Sequence, residues 1–386
     1  MTSAILVLNA GSSSLKFAVY PAQSGDAIAK GAIDGIGGQA TCSIESCGGI
    51  ELPPFAPADG HTHDAAIGWL LQALRSTPDV TITAAGHRVV HGGVSFSNSV
   101  IVTPPILDEL NTLIPLARNH QPYNLAAIEA VARMWPDLPQ VACFDTAFHR
   151  SQPDEAQAFA LPRELSDAGI RRYGFHGLSY RHIASVLPDH GSEVAEGRVI
   201  VAHLGNGASM CAMVGRQSRA TTMGFTPLDG LVMGTRPGLL DGGVILHLIN
   251  ERGMAPAELD DLLYHRSGLL GVSGISNDMR TLLASIKPSA RRAVDLFVYR
   301  AIREIGSLTA AIGGLDTLVF TGGIGERAHQ IRARIVAGCG WLGADLDETA
   351  NNENETVIST SACNVTVLRI ATDEEAVIAA DTRALT

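Results

Sequence analysis

Apolar positions gather three times into a short run that ends in a turn of small residues. Residues 4–8 run into 9–14, and 16–20 return as a second apolar run. Residues 199–204 run into "GNGAS" (205–209), with 210–214 returning. Residues 317–320 run into "TGGIGE" (321–326), followed by a helical stretch through 336. The first two read as strand–turn–strand units with the same turn chemistry, one in each half of the chain, which suggests a duplicated architecture. Elsewhere the pattern takes helical spacing. Val294, Phe297, Val298, Ala301, Ile302 and Ile305 form one apolar stripe, with Ser289 as its expected cap and Gly313-Gly314 as its stop, and the stripe reads as core. Residues 52–60 and the polar "TANNENE" (349–355) read as loops. Strands alternating with helices make the fold class α/β. The polar, proline-containing break at 151–156 puts a lobe boundary near Phe148.

Composition narrows the function classes. At 386 residues the chain is too long for one ordinary core, so two domains are expected. Hydrophobic content of 46% and charged content of 17% describe a globular chain and give no case for disorder. A net charge of −11 argues against a nucleic-acid partner, which needs basic stripes to neutralise phosphates. Any anionic ligand is therefore held by local positive charge against an unfavourable overall field. The first apolar run has no basic segment ahead of it and is cut short by Asn9, so no signal peptide is expected. No membrane span is expected either, since even residues 231–249 are interrupted by Arg236, Pro237 and Asp241. Six cysteines (42, 47, 143, 211, 339 and 363) form no CxxC pair and read as buried, reduced thiols. The expected compartment is the cytoplasm.

Three Gly/Ser/Asn turns at strand ends suggest phosphate, because backbone N–H groups and hydroxyls in such turns make an anion-binding concavity. Any single one reads most simply as a tight turn; three together point to a nucleotide. No GxxxxGK[ST] occurs, and Gly322-Gly323-Ile324-Gly325 lacks the GxGxxG spacing, so neither a P-loop nor a Rossmann site is expected. In "AAGHRVVHGG" (84–93), His87 and His91 stand four apart. The intervening Arg88-Val89-Val90 favours a strand, on which the two imidazoles share a face with no evident third ligand, so a metal site is not expected. Arg88, before a Gly-Gly pair, is placed to grip a carboxylate or phosphate bidentately, or else forms a surface ion pair. "VACFDTAFH" (141–149) ends a short strand with Asp145, a position suited to Mg²⁺, to substrate or to a helix N-cap. His176 in "YGFHGLSY" (173–180) sits in an aromatic-glycine loop, unlike a packed core histidine. "MGFTPLDGLVMGTRPGLLD" (223–241) is a long glycine-punctuated loop carrying Arg236 and Asp241, and such loops are often functional. A two-lobed α/β chain with a nucleotide site, two anion-clamping arginines, one His and one Asp suits phosphoryl transfer, which depends on positioning and charge neutralisation.

Residues 9–16 ("NAGSSSLK"), 84–93, 143–149, 173–180 (with "GFHG"), 203–209, 223–236 (with "MGTR") and 322–326 resemble, in order and spacing, the signature of the acetate kinase family, over nearly the whole chain. The resemblance implies two similar lobes of the actin-like ATPase (RNase H-like) type that close over ATP, with the active site in the cleft between them. It implies a carboxylate-substrate lobe of residues 1–148 plus a C-terminal helix 374–386, and a nucleotide lobe of residues 149–373. The activity implied is reversible Mg²⁺-dependent phosphoryl transfer from ATP to acetate, giving acetyl phosphate and ADP, with Mn²⁺ as a substitute cation, in a homodimer.

By the same resemblance Asn9, Ser12, Ser14 and Lys16 lie near the transferred phosphate and the metal, and Glu374 joins Asn9 in supporting the cation. Arg88 and Arg236 bind substrate and the transferring phosphoryl group, and Asp145 and His176 are catalytic. His203, Leu204, Gly205, Asn206 and Gly207 form the second phosphate turn. Asp278, Met279, Arg280, Gly322, Gly323, Ile324 and Gly325 meet the nucleotide, and Val90, Phe175 and Pro227 form the pocket for the substrate methyl. Two residues depart from the family pattern: Asn119 stands where a pocket-side leucine is expected, and Arg327 where the family shows Asn. The first leaves acetate against propionate open, and the second the purine or ribose contact. A propionate kinase on the same scaffold and a non-catalytic actin-like nucleotide-binding protein are the competing readings; against the latter, Arg88 and Arg236 have no role if water is the nucleophile.

Overall fold

The computed structural model describes residues 2–46, 52–77 and 80–386, so Cys47 lies outside the described residues. Cys42, Cys143, Cys211, Cys339 and Cys363 are free thiols; Cys143, Cys211 and Cys339 are buried, whereas Cys42 and Cys363 are only half-buried, contrary to the expectation that all are buried. The chain divides into two compact units, Met1–Phe148 with Asp373–Thr386 and His149–Thr372.

In the first unit, β1 (Thr2–Ala10), β2 (Ser14–Pro21), β3 (Ala29–Asp34), β4 (Thr41–Ser46), β5 (Val80–Val89), β6 (Val100–Ile101) and β7 (Gln140–Phe144) form one sheet in the order β4-β3-β2-β1-β5-β7-β6. In the second, β8 (Arg198–Leu204), β9 (Ala208–Val214), β10 (Gln217–Thr221), β11 (Thr317–Thr321) and β12 (Thr366–Arg369) form a sheet in the order β10-β9-β8-β11-β12. The run β3-β2-β1-β5-β7 and the whole second sheet share one plan: two antiparallel pairings, then two parallel ones. Each unit therefore has the mixed sheet of an actin-like ATPase lobe, with its first hairpin beside the first parallel strand.

The central strands β1, β7, β8 and β11 are buried almost throughout, as parallel-paired strands covered on both faces require. The helix His63–Arg75 lays Ile67, Leu70, Leu71 and Leu74 against Leu6, Leu8 and Phe17 of the first sheet. The helix Glu374–Leu385 approaches β5 so closely that a Cβ on Gly86 would stand 2.6 Å from Ile378 Cγ2, which leaves room only for glycine. No helix among the described residues is long and apolar enough to cross a membrane.

Four local readings change. The helix carrying the apolar stripe spans Pro288–Ile312 and starts one residue before Ser289; Lys287 stands at its N-cap and makes no side-chain cap bond, since an ammonium has no acceptor, and Pro288 supplies the fixed φ of a first helical residue. Gly313 ends it in the left-handed conformation, as expected. "TGGIGE" is not a turn into one helix: Gly322–Arg327 is itself helical, and Ala328 separates it from His329–Gly338. "TANNENE" is partly helical (Glu348–Asn352), because the fully buried Arg332 donates from Nε to Asn351 Oδ1 (2.8 Å) and from Nη2 to Asn351 O (2.7 Å). β5 ends at Val89, so His91 lies in the following turn, not on a shared strand face with His87. His87 bonds Gln140 Oε1 (2.8 Å), while His91 Nδ1 accepts from Gly93 N (2.9 Å).

Candidate active site

In the first unit the predicted residues gather around one guanidinium. Arg88, on β5, donates from Nε to Asp145 Oδ1 (3.0 Å), from Nη2 to Asp145 Oδ2 (2.5 Å) and from Nη1 to Asn9 Oδ1 (3.1 Å). Glu374 Oε2 lies 4.0 Å from Arg88 Nε. Parallel pairing sets this geometry, since Leu8 lies opposite His87 and Arg88 opposite Cys143, which brings Asn9 and Asp145 to the same end of neighbouring strands. Asp145 is 1% exposed, so both its oxygens need these donors. Burial opposes charge on Arg88, but the Asp145 carboxylate, by charge and hydrogen bond, with Glu374 and Glu375 behind it, raises the guanidinium well above its ordinary value. Burial, with the Asp145 and Glu375 charges, pushes Glu374 up to about 7 against the pull of Arg88 and Lys16.

The turn between β1 and β2 closes through Gly11 N donating to Ser14 O (2.8 Å). Ser12 and Lys16 are exposed and Ser14 half-buried. Sequence reasoning missed the residues that brace this turn. His63 reaches Gly11 O (2.7 Å), and buried Asn124 donates to Ala10 O (2.6 Å) while accepting from Val90 N (3.0 Å). Gln121 brackets His91 in the same way, donating to its O and accepting from its N at 3.1 Å each. The available signal was the pair of amides three apart in "QPYN", in the first turn of a helix with Pro122 between them.

In the second unit the predicted residues form two adjoining groups. His176 has φ 58°, in the left-handed region, just before the helix Gly177–Val186. Its ring stacks on His203 at 4.3 Å between centroids. A Cβ placed on Gly207 would lie 2.8 Å from Arg236 Nη2 and 3.2 Å from His176 Nε2, so both side chains converge on the β8–β9 turn and only glycine admits them. Arg236 donates from Nη1 to Pro227 O (2.7 Å) and, among the described residues, forms no ion pair. Burial lowers it to about 10. Gly234 is fixed in the same way, its missing Cβ being replaced by Asn206 Oδ1.

Beside that turn opens a cavity of about 540 Å³. Of the predicted nucleotide residues, Gly205, Asn206, Asp278, Met279, Arg280, Gly323 and Ile324 line it, together with the departing Arg327. Leu283, Ala284, Ala328 and Gln330 also line it and were not foreseen. Asp278 caps the helix Met279–Leu283 and pairs with Arg280 (Nη2 to Oδ2, 3.0 Å). Leu204, His203, Gly207, Gly322 and Gly325 do not line the cavity. Gly322 lies behind it with φ 75°, where a Cβ would meet Leu204 O at 2.8 Å. Glu326 Oε1 secures this backbone by accepting from Gly322 N (3.1 Å) and Thr372 N (3.2 Å). Of the expected methyl-pocket residues, Val90 and Asn119 belong to the first unit, Phe175 and Pro227 to the second. Val90, Phe175 and Pro227 are buried and Asn119 half-buried.

Residues 4–380 match the family model described as the acetokinase family. A protein named acetate kinase from Rhodopseudomonas palustris is 53% identical over 388 residues, covering 98% of this chain and 97% of its own. Among solved structures, a propionate kinase from Francisella tularensis superposes with a TM-score of 0.91 at 36% identity, covering all of both chains. An acetate kinase from Porphyromonas gingivalis gives 0.86 at 35%, covering 99% of each.

Proposed function

The chain belongs to the acetokinase family, and from that premise we propose that it is an ATP:acetate phosphotransferase, moving the γ-phosphoryl group reversibly and directly in line from ATP to acetate to give acetyl phosphate and ADP. The observation that supports this most strongly is Arg236: a half-buried guanidinium with no carboxylate partner among the described residues, converging with His176 on a glycine turn beside a nucleotide-sized cavity. Such a cation is an anion seat, because leaving it uncompensated costs stability unless an anion arrives.

Acetate is ionised at neutral pH, with a pKa of about 4–5 by analogy with Glu, and needs no general base. It needs relief of repulsion as it nears an anionic phosphate, and oriented donors typically supply about 2–4 kcal/mol each. Arg88, Arg236 and His176 take that role. Both Asp145 oxygens are spent on Arg88, which supports Asp145 as an organiser of the site rather than a base. A pH–rate profile in which Asp145→Asn merely loses one limb would count against that assignment.

The first unit carries the carboxylate substrate and the second the nucleotide. Asn9 Oδ1 and the Glu374 carboxyl are hard oxygen donors, and Glu374, crowded by Asp145 and Glu375, gains from a nearby cation; the set fits Mg²⁺. Mg²⁺ typically takes only one or two protein carboxylates and keeps waters and substrate phosphates for the rest of its shell. When bound with ATP, Mg²⁺ offsets charge on the phosphate oxygens. Mn²⁺ substitutes, and the enzyme is a cytoplasmic homodimer.

Propionate kinase is the second reading, favoured by half-buried Asn119 in place of leucine. One methylene separates the substrates, worth about 1–3 kcal/mol of discrimination. Hydroxylamine trapping with ATP, Mg²⁺ and a panel of short acids tests both. Acetyl hydroxamate as the main product is expected; a larger yield from propionate installs the second reading, and ATP hydrolysis with no hydroxamate overturns both.

A further inference from the structure

His176 caps the helix that carries Tyr180, the Tyr180 N–H donating to His176 O (3.0 Å). Both reach the same atom. Ser209 Oγ, on β9 and 0% exposed, lies 2.8 Å from His176 Nδ1 and also bonds the Tyr180 hydroxyl. Tyr180 is likewise 0% exposed, and burial holds its phenol protonated well above the ordinary range. On its far side the His176 ring stacks on His203, whose Nδ1 bonds Ser179 Oγ (2.8 Å), and its Nε2 faces Gly207 and Arg236.

We propose that Ser209 and Tyr180 are positioning residues that fix the tautomer of His176: the phenol donates to Ser209 Oγ, the serine proton donates to His176 Nδ1, and the imidazole carries its own proton on Nε2. Ser209 Oγ has one proton to share between its two partners, so when it accepts from the phenol it donates to His176 Nδ1, and the reverse chain would place the imidazole proton on Nδ1. Only the Nε2–H tautomer presents a donor to the turn where Arg236 converges. With the proton on Nδ1, Nε2 is an acceptor and repels an anion there. Partners of a catalytic imidazole set its tautomer and orientation from the ring's other nitrogen, and losing them typically costs about 10–100-fold. The left-handed backbone at His176 aims the ring; the Ser209–Tyr180 pair decides which nitrogen holds the proton.

The inference rests on the kinase reading, but its primary test needs no substrate. Long-range ¹H–¹⁵N spectra of ligand-free protein with ¹⁵N-labelled histidine, assigned by comparison with His176→Gln, read the tautomer directly. The wild type is expected to show Nε2–H, and Ser209→Ala to move His176 toward Nδ1–H and lower kcat about 10–100-fold, with KM for ATP changed less than threefold. Ser209→Thr keeps the hydroxyl and is expected to restore both readouts. Should Ser209→Ala not fold, Tyr180→Phe, which keeps the ring, takes its place; the expected result is then a mixed tautomer and a smaller kcat loss. A wild-type His176 protonated on Nδ1, or a tautomer and kcat unmoved in whichever variant folds, overturns the proposal. Absence of acetate kinase activity in wild type that shows the expected tautomer would strike the kinase reading alone.

Discussion

Arg88 spends its guanidinium on protein: both Asp145 oxygens, Asn9 Oδ1, and Glu374 at 4.0 Å. Arg236 spends its own on one backbone carbonyl and meets no carboxylate among the described residues. Their basicities diverge accordingly, Arg88 rising through its carboxylates and Arg236 falling to about 10 through burial. A compensated cation is a fixed part of the fold, and an uncompensated one stores a cost that an anionic ligand relieves. In one enzyme the first suits the standing architecture of a carboxylate site and the second suits charge that arrives with the phosphoryl group.

The largest expected effect is on Arg88. Arg88→Met strands the buried Asp145 carboxylate, and breaking such a pair costs about 3–5 kcal/mol; denaturant unfolding of the ligand-free protein is expected to show that loss, with activity falling as well. Arg236→Met is expected to lower kcat about 10²–10³-fold, the equivalent of about 2–4 kcal/mol, while the unfolding midpoint holds or rises. Equal stability losses in the two variants would erase the distinction between the arginines.

The β1–β2 and β8–β9 turns offer a gentler probe. Gly207→Ala drives a methyl to 2.8 Å from Arg236 Nη2 and 3.2 Å from His176 Nε2, whereas Gly11→Ala meets only the movable Ser14 Oγ at 3.1 Å and a carbonyl at 3.6 Å. Displacing catalytic groups by about 1 Å can cost on the order of 10²-fold, so kcat is expected to fall about 10–100-fold for Gly207→Ala and under threefold for Gly11→Ala.

Glu374 sharpens the contrast through pH. Its carboxyl is raised from 4.5 to about 7, so the folded state keeps a proton that the unfolded chain loses. The stability this contributes is fully present below about pH 4.5 and is lost as pH rises through about 7. In metal-free protein, Glu374→Gln is expected to flatten the fall in melting temperature across that window. An unchanged slope would mean that Arg88 holds the carboxylate ionised. The smallest expected effect is at Asn119, where Asn119→Leu lowers KM for acetate relative to propionate by a fewfold; unchanged ratios would remove Asn119 from the pocket.

Much of this layout is legible in the chain because it rests on local pattern. The apolar runs into "NAGSSSLK" and "HLGNGAS" fix two hairpins, and Gly313 stops the long helix where a left-handed residue is needed. The parallel pairing of β1 with β5 and of β8 with β11 is not legible, since it joins residues far apart in sequence through backbone hydrogen bonds that no local pattern marks. Arg332 illustrates the limit: no local pattern marks it, yet it is fully buried, and its bonds to Asn351 help turn a polar stretch into a helix. Asn124 and Gln121 escaped notice because their partners are backbone groups distant in sequence, so the amide pair in "QPYN" shows a polar helix start but not what it binds.

Acetyl hydroxamate formation by Arg236→Met, measured beside wild type at saturating ATP, Mg²⁺ and acetate with the melting temperature of each preparation, bears most sharply on the role of Arg236 as the anion seat. Robust product is expected from wild type and at least a hundredfold loss in the variant, with no loss of stability. Product formation that survives the substitution, or disappears only because the variant unfolds, would contradict it.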